Sequence, residues 1–303
     1  MIEVAVVGGG PAGLTAALYA ARAGRSVTVF EGNSFGGQIT QSPLVENYPG
    51  LGNISGMELG DRMYVQAEQA GATLSFSGVE SIQKSATGAF LLTTEDGIVE
   101  ALSVIYAAGA APRHLELPGE EALVGRGISY CALCDGAFFA NQDVAVAGGG
   151  NTALEDALYL SERCRSVTLI HRRNTFRAES ALVERAKATG NLTMVTQAQI
   201  TALLAQDGNL TGLLLQKQDG TTKPLAVSGL FVAFGRVPDT APLSGLAARD
   251  EQGYVLTDDQ MQTPTPGLFA AGDCRHKQIR QLTTAVSDGT VAAISACRYL
   301  GNR

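Results

Sequence analysis

Two stretches of the chain show the same order of apolar and polar positions. At 4–31, VAVVGGGPAGLTAALYAARAGRSVTVFE opens on a valine-rich apolar run and passes through glycines. It continues with apolar residues at helical spacing and ends in a β-branched run. That order predicts strand, turn, helix, strand, which is a βαβ unit. It recurs at 144–171 as VAVAGGGNTALEDALYLSERCRSVTLIH, aligned without a gap at an offset of 140 residues and identical at 14 of 28 positions. The chain therefore carries two copies of one supersecondary unit, each too long for a solenoid repeat, and the expected class is α/β.

In the first copy Gly8, Gly10 and Gly13 complete G-x-G-x-x-G, with Pro11 and Ala12 between the last two. In the second, Gly148, Gly150 and Ala153 give the G-x-G-x-x-A form around Asn151 and Thr152. The first glycine permits a tight turn and the second lets a pyrophosphate approach the backbone. The third position needs a small residue where helix meets strand. The helix N-terminus then offers free N–H groups and partial positive charge to phosphate.

The two copies differ where the second strand ends, at the place that faces an adenosine ribose. Glu31 lies 18 residues after Gly13, and His171 lies 18 after Ala153. A carboxylate there accepts hydrogen bonds from ribose hydroxyls and repels a 2′-phosphate, so Glu31 predicts an ADP-ribose without extra phosphate, as in FAD. The second copy instead runs HRRNTFR, and the guanidinium groups of Arg172, Arg173 and Arg177 bind phosphate bidentately while staying charged. This end predicts NADPH.

A chain of 303 residues can bury more than one core, and two domains are expected. Its formal net charge of −7 gives no case for nucleic acid or an anionic membrane as partner. No basic segment precedes the first strand, and no apolar run approaches the roughly 18 residues of a membrane span. A cytoplasmic protein without secretion signal or anchor is the expectation.

Five cysteines in such a chain argue against a structural disulfide framework. Cys131 and Cys134 form C-A-L-C followed by Asp135 and Gly136, a spacing suited to a redox disulfide or to half of a metal site. Cys164, Cys274 and Cys297 stand singly, and His114, His171 and His276 lie in unrelated contexts, which disfavours zinc. Redox use is favoured, because a thiolate at a helix N-terminus has a lowered pKa and an adjacent carboxylic acid can protonate a leaving sulfur.

These residues carry a resemblance that spans nearly the whole chain. YCALCDG, placed just before the second nucleotide motif, resembles the active site of low-molecular-weight, bacterial-type thioredoxin reductases. GGQITQSPLVENYPG at 36–50, AAGAAPRHLELPGE at 107–120, HRRNTFRA at 171–178 and GLFAAGDCRHKQIRQLTTAVSDGTVAA at 267–293 are similar to the same family, in its order. The glutathione-reductase branch is disfavoured, since no cysteine precedes Cys131. YAAG at 106–109 departs from the family's A-T-G by placing Ala108 where threonine is common.

The resemblance implies two Rossmann-like nucleotide-binding domains of three-layer ββα type, with the NADPH domain inserted into the FAD domain. Its boundaries put FAD segments at 1–112 and 239–303 and the NADPH domain, carrying the disulfide, at 113–238. FAD would be held by Gly8, Gly10, Pro11, Ala12 and Gly13, by Glu31, Gly32, Gly36, Gly37 and Gln38, by Asn47 and Gly109, and by Asp273, Arg280, Gln281 and Leu282. NADPH would be held by the second glycine turn, by His171 and the three arginines, and by Arg236. Hydride would pass from NADPH to FAD, electrons to the Cys131–Cys134 disulfide, and the dithiol would exchange with oxidised thioredoxin, a separate chain. By the same resemblance Cys134 faces the flavin, Cys131 attacks the protein substrate, Asp135 serves as general acid and base, the domains rotate about hinges near 112 and 239, and the protein is a homodimer. A ferredoxin-fed reductase of related fold is the first alternative, opposed by the second glycine motif and its arginines. A nucleotide-binding sensor without turnover is the second, opposed by the intact cysteines and Asp135.

Overall fold

A computed structural model describes residues 1–302. The chain runs through β1 (Ile2–Val7), α1 (Pro11–Arg22), β2 (Val27–Phe30), α2 (Gly56–Gln69), β3 (Thr73–Ser75), β4 (Val79–Lys84), β5 (Phe90–Thr94), β6 (Gly97–Tyr106) and β7 (Ala110–Pro112). It continues with α3 (Glu120–Leu123), β8 (Ile128–Ser129), α4 (Ala132–Asp135), β9 (Asp143–Gly148), α5 (Asn151–Ser161), β10 (Ser166–His171), α6 (Ser180–Ala188) and β11 (Leu192–Thr196). After β12 (Ala198–Gln206), β13 (Asn209–Lys217), β14 (Thr222–Ala226), β15 (Gly229–Ala233) and β16 (Arg236–Pro238) come β17 (Leu268–Ala270) and α7 (Leu282–Gly301). Two compact units result: Met1–Ala111 with Val237–Arg303, and Pro112–Arg236 between them. Among the described residues no helix is long and apolar enough to cross a membrane.

The first unit is built on a seven-stranded sheet in the order β3-β2-β1-β6-β5-β4, with β17 also paired to β6. Strands β3, β2, β1, β6 and β17 run parallel, while β4 and β5 form an antiparallel extension. Alternation along β1 decides which face each side chain covers. Val4 and Val6 pack with alanines of α1 and α7, and Ala5 and Val7 pack with Phe90, Leu92 and Tyr106 on the other face.

The second unit repeats this logic. Its parallel sheet has the order β11-β10-β9-β15-β8. Val144 and Val146 of β9 face Leu154, Ala157 and Ala186 of α5 and α6. Ala145 and Ala147 face Leu210, Leu213 and Leu215 of the antiparallel layer β12-β13-β14. Helices, parallel sheet and antiparallel layer make the three-layer ββα arrangement.

Both copies carry the same staple between the starts of their two strands. In the first, Arg25 pairs with Glu3 at 2.8 Å, the Ser26 N–H donates to Glu3 Oε2 at 2.8 Å, and the Glu3 N–H donates to Ser26 Oγ at 3.0 Å. In the second, 140 residues on, Arg165 pairs with Asp143 and Ser166 Oγ donates to Asp143 Oδ1 at 2.7 Å. These contacts hold both carboxyls low, Glu3 chiefly through the Ser26 N–H and Asp143, at about 2, chiefly through Arg165.

Candidate active site

At the opposite strand ends the glycine turns take over. A Cβ on Gly13 would stand 3.0 Å from the Gly8 carbonyl carbon and 3.3 Å from Val6 Cγ1, with the Gly8 carbonyl oxygen closer still. Only hydrogen lets α1 approach the strand there. The second copy tolerates Ala153 at the matching place, fully buried. Helices α1 and α5 both begin at an extended glycine, Gly10 and Gly150, with no side-chain cap. Apart from Pro11, which has no N–H, and Ala153, whose N–H donates to the Gly150 carbonyl at 3.1 Å, the N–H groups of these first turns can meet an outside acceptor, the condition for binding a phosphate.

Within the first unit Glu31 Oε2 accepts the Gly9 N–H at 2.7 Å and Oε1 accepts the Asn33 N–H at 2.9 Å. Each carboxylate oxygen retains a second acceptor site. The Gly36 N–H donates to the Gly9 carbonyl at 2.8 Å, which draws the Gly36–Gln38 segment onto the glycine turn. Gln38 donates to the Ala110 carbonyl at 2.8 Å, beside Gly109. Asn47 donates weakly to Gln281 at 3.4 Å, and Gln281 caps α7, whose first residue is Leu282. Arg280 lies over the Tyr254 ring at 4.0 Å and reaches the Asp273 carbonyl at 3.5 Å. Asp273 Oδ1 is buried and accepts no hydrogen bond, with the Lys277 ammonium 3.5 Å away. A buried carboxylate oxygen that accepts no hydrogen bond and has only the Lys277 ion pair fits a ligand hydroxyl, as a flavin nucleotide provides.

The second unit places the arginine loop directly over its glycine turn. His171 is buried, its ring stacked on Phe176 at 5.0 Å and its Nε2 3.0 Å from the Thr175 carbonyl. The ring sits so close to Gly149 that a Cβ there would overlap it. Burial, with the charges of Arg173, Arg177 and Arg172, lowers the His171 pKa against the Thr175 hydrogen bond. The Arg177 N–H donates to the Gly149 carbonyl at 2.8 Å. Asn151 and Glu179 bond reciprocally: the Asn151 amide donates to Glu179 Oε1 at 3.1 Å and the Glu179 N–H donates to Asn151 Oδ1 at 2.9 Å. Arg172, Arg173 and Arg177 are all exposed, as is Thr152, and Arg236 is half-buried at the end of the unit. Three cations on a clamped loop above an uncapped helix suit a nucleotide with an additional phosphate.

In the same unit Cys131 and Cys134 are joined as a disulfide, their Cα atoms 5.3 Å apart. Cys131 caps α4, and its sulfur accepts the Cys134 N–H at 3.2 Å. Cys134 is exposed and Cys131 half-buried. Ser129 Oγ donates to Asp135 Oδ2 at 2.6 Å. Burial raises the Asp135 pKa, and the Ser129 hydrogen bond partly offsets the rise. The Tyr130 hydroxyl donates to buried Glu120 at 2.7 Å and lies 2.8 Å from His114 Nδ1, which fixes the backbone entering the disulfide. Among the described residues no group of three or more His, Cys, Asp or Glu side chains could hold a metal.

The chain combines two glycine turns with a C-x-x-C disulfide, and the family model for pyridine nucleotide-disulphide oxidoreductases matches residues 2–289. The chain belongs to that family. It is 43% identical over 304 residues to a thioredoxin reductase of Mycolicibacterium smegmatis, covering 99% of this chain and 97% of that one. It is 44% identical to a bifunctional thioredoxin reductase/thioredoxin of Mycobacterium leprae, covering 98% of this chain but 66% of that longer protein. The crystal structure of thioredoxin reductase from Streptococcus pyogenes superposes with a TM-score of 0.96 at 40% identity, covering 100% and 99% of the two chains. Membership brings flavin and pyridine nucleotide use and an oxidoreductase activity.

For a pyridine nucleotide-disulphide oxidoreductase the structure adds side chains that the motifs leave out. Lys277, Tyr254 and the Asp273 oxygen gather around the return segment, and Ser77 Oγ is another buried polar atom without a hydrogen-bond partner. Ser77 follows β3, whose end lies against Glu31 through the Glu31 N–H to the Ser75 carbonyl at 3.0 Å. Phe176 and Glu179 support the arginine loop, and Ser129 supports Asp135. No spacing rule marks any of these, because each acts through a partner distant in sequence or through a local turn. The free cysteines take no part in the disulfide: Cys164 and Cys274 are buried and Cys297 is half-buried.

Proposed function

We propose that the chain is an NADPH-dependent thioredoxin-disulfide reductase using FAD. The observation that carries this reading is the Cys131–Cys134 disulfide with Asp135 beside it, in the unit that also holds a glycine turn roofed by three arginines. The unit Met1–Ala111 with Val237–Arg303 would hold FAD. Gly8, Gly10, Pro11, Ala12 and Gly13 would meet its pyrophosphate, Glu31 and Gly32 its adenosine ribose, and Gly36, Gly37, Gln38, Asn47, Gly109, Asp273, Arg280, Gln281 and Leu282 its ribityl and flavin end. The unit Pro112–Arg236 would hold NADPH, with Gly148, Gly150, Asn151, Thr152 and Ala153 at the pyrophosphate and Arg172, Arg173 and Arg177 at the 2′-phosphate. His171 shapes that loop from beneath, and Arg236 closes the set. FAD supplies the hydride acceptor and the electron relay between nucleotide and disulfide.

The protein's own groups perform the thiol chemistry. In the reduced enzyme the Cys134 N–H stabilises a thiolate on Cys131. Cys131 attacks one sulfur of the partner disulfide, and the partner's other sulfur leaves as a thiolate and takes a proton. Cys134 then attacks Cys131, which remakes the disulfide and releases the partner dithiol. Asp135, whose pKa burial raises against the Ser129 hydrogen bond, supplies and recovers the proton. Thioredoxin, the partner named for the relatives, is the substrate this exchange fits, and a homodimer is the assembly proposed.

An anaerobic titration tests the whole path. NADPH should bleach the flavin band of the purified protein, NADH should do so poorly, and oxidised thioredoxin should restore it. Bleaching only by a low-potential donor such as reduced ferredoxin would sink the NADPH reading. Bleaching without recovery on thioredoxin would sink the choice of partner.

A further inference from the structure

The hydroxyl of Ser129 has more partners than one proton can serve. It lies 2.6 Å from Asp135 Oδ2 and 3.3 Å from the Cys131 carbonyl, and it accepts the Cys131 N–H at 3.0 Å. Ser129 is 4% exposed, so water does not substitute for any of these partners. A hydroxyl donates one hydrogen bond and accepts two. When Asp135 is ionised, Ser129 donates to its carboxylate and accepts from the Cys131 N–H. When Asp135 carries a proton, its O–H can donate to Ser129 Oγ, which turns its own hydrogen to the Cys131 carbonyl. In both states the hydroxyl's hydrogen is donated and it accepts the Cys131 N–H, with the Asp135 O–H as a second donor in the protonated state, and no heavy atom needs to move.

We propose that Ser129 is a positioning residue for proton transfer, a hydrogen-bond adapter that holds Asp135 in either protonation state and ties that state to the backbone of Cys131. The inference rests on the proposed role of Asp135 as proton donor and acceptor. An unmatched buried carboxyl would resist one state or the other. A serine able to reverse its donor direction removes that bias, so the proton can be released to the leaving thiolate and regained within each cycle. The carboxylate bond is the stronger of the two, because a bond to an ionised acceptor is about twice as strong as a neutral one. The net effect is therefore to favour the anion, and losing Ser129 must raise the Asp135 pKa.

Other titratable groups near this site have to be separated from it. The short turn after α4 has none. Helix α5, packed against α4, carries Glu155, Asp156 and Tyr159. Asp156 is pushed up to about 7 by burial and the Glu155 charge. The reduced Cys131 and Cys134 thiols also titrate.

The test uses the holoenzyme in four forms: wild type, Ser129→Ala, Ser129→Thr and Asp135→Asn, with Asp156→Asn as a control. The pH dependence of kcat/KM for oxidised thioredoxin is measured from pH 5 to 9. The carboxyl of Asp135 is titrated directly by carbon-13 NMR of aspartate-labelled protein, assigned by its loss in Asp135→Asn. Ser129→Ala should move the Asp135 midpoint upward by about one pH unit, and the matching limb of the rate profile should move with it. Ser129→Thr should restore both. An unchanged NMR midpoint in Ser129→Ala overturns the inference, whatever the rate profile does. A limb that survives Asp135→Asn and disappears in Asp156→Asn overturns the role of Asp135 itself, and with it the adapter's part in catalysis.

Discussion

Arg172 and Arg173 can be removed without disturbing the frame that presents them, which makes their joint replacement by alanine a clean test of nucleotide choice. Both are exposed, and neither side chain takes part in the contacts that fix the loop; the Arg173 carbonyl, which accepts the Gln197 N–H at 3.2 Å, is kept in alanine. Those contacts are the His171–Phe176 stack, the Arg177 N–H to the Gly149 carbonyl, and the Asn151–Glu179 pair. The lost interaction is therefore charge on charge. At 4 Å a unit pair is worth about 1 kcal/mol in water and about 4 near a protein surface. Taking the lower range for exposed groups, two guanidinium groups facing a phosphate of charge near −2 amount to about 2–3 kcal/mol. At about 1.4 kcal/mol per factor of ten, KM for NADPH should rise by roughly 30- to 100-fold. NADH lacks the phosphate, and its KM should stay within about twofold. The assay is thioredoxin-coupled oxidation of each nucleotide at low and moderate salt. The wild-type preference for NADPH should shrink as salt rises, whereas the double variant should show little salt effect. A loss shared equally by both nucleotides, or a rise in KM for NADPH of less than threefold, would refute the reasoning.

Three further outcomes follow from particular contacts. Gly13→Ala forces a methyl against the Gly8 carbonyl, so flavin content and Tm should both fall, by more than about 3 kcal/mol of stability given the usual 1–3 kcal/mol for overpacking against movable groups; full flavin content at wild-type Tm contradicts this. Asp273→Asn keeps the volume but halves the acceptor capacity where Oδ1 accepts no hydrogen bond, and should weaken flavin retention about tenfold in a fluorescence titration of released FAD. For Asp156, burial raises the folded pKa to about 7. The folded state then binds the proton more tightly than the unfolded chain. Its contribution is present at pH below about 4 and is lost as pH rises through 7. Asp156→Asn should accordingly raise stability at pH 8 by up to about 4 kcal/mol, at about 1.4 kcal/mol for each of about three pH units, with a higher Tm and little gain at pH 4; a gain of the same size at both values would show that the carboxyl does not titrate there.

The α/β class and the repeated βαβ unit were legible because they depend on local periodicity. The valine-rich runs at 4–7 and 144–147 read as strands from sequence alone, while the face each side chain covers, Val4 and Val6 toward the helices and Ala5 and Val7 away from them, came with the structure. The size limit at Gly13 and Ala153 is local in the same sense. The antiparallel layer β12–β14 lacks such a signature, since its apolar positions are interrupted by bulges near Ile200 and Leu204. At the site, residue types could be read but not their partners. Glu31 stands at the strand exit as its spacing requires, yet its engagement with the Gly9 and Asn33 N–H groups depends on the turn geometry. His171 heads a row of cations in sequence, and folding buries its ring while leaving the arginines outside. Ser129, Phe176 and Glu179 carry no motif because common residue types become informative only through what the fold sets beside them.

The paired staples, Glu3 with Arg25 and Ser26, and Asp143 with Arg165 and Ser166, have a consequence for how such a protein can change. They sit where the strands enter each sheet, whereas the two copies diverge where the strands leave it, at Glu31 and at His171. Stability is thus fastened at one rim and ligand choice is written at the other. A duplicated segment built this way is a reusable cassette: rewriting a few residues at the exit rim readdresses it to a different nucleotide while the entry rim keeps it folded.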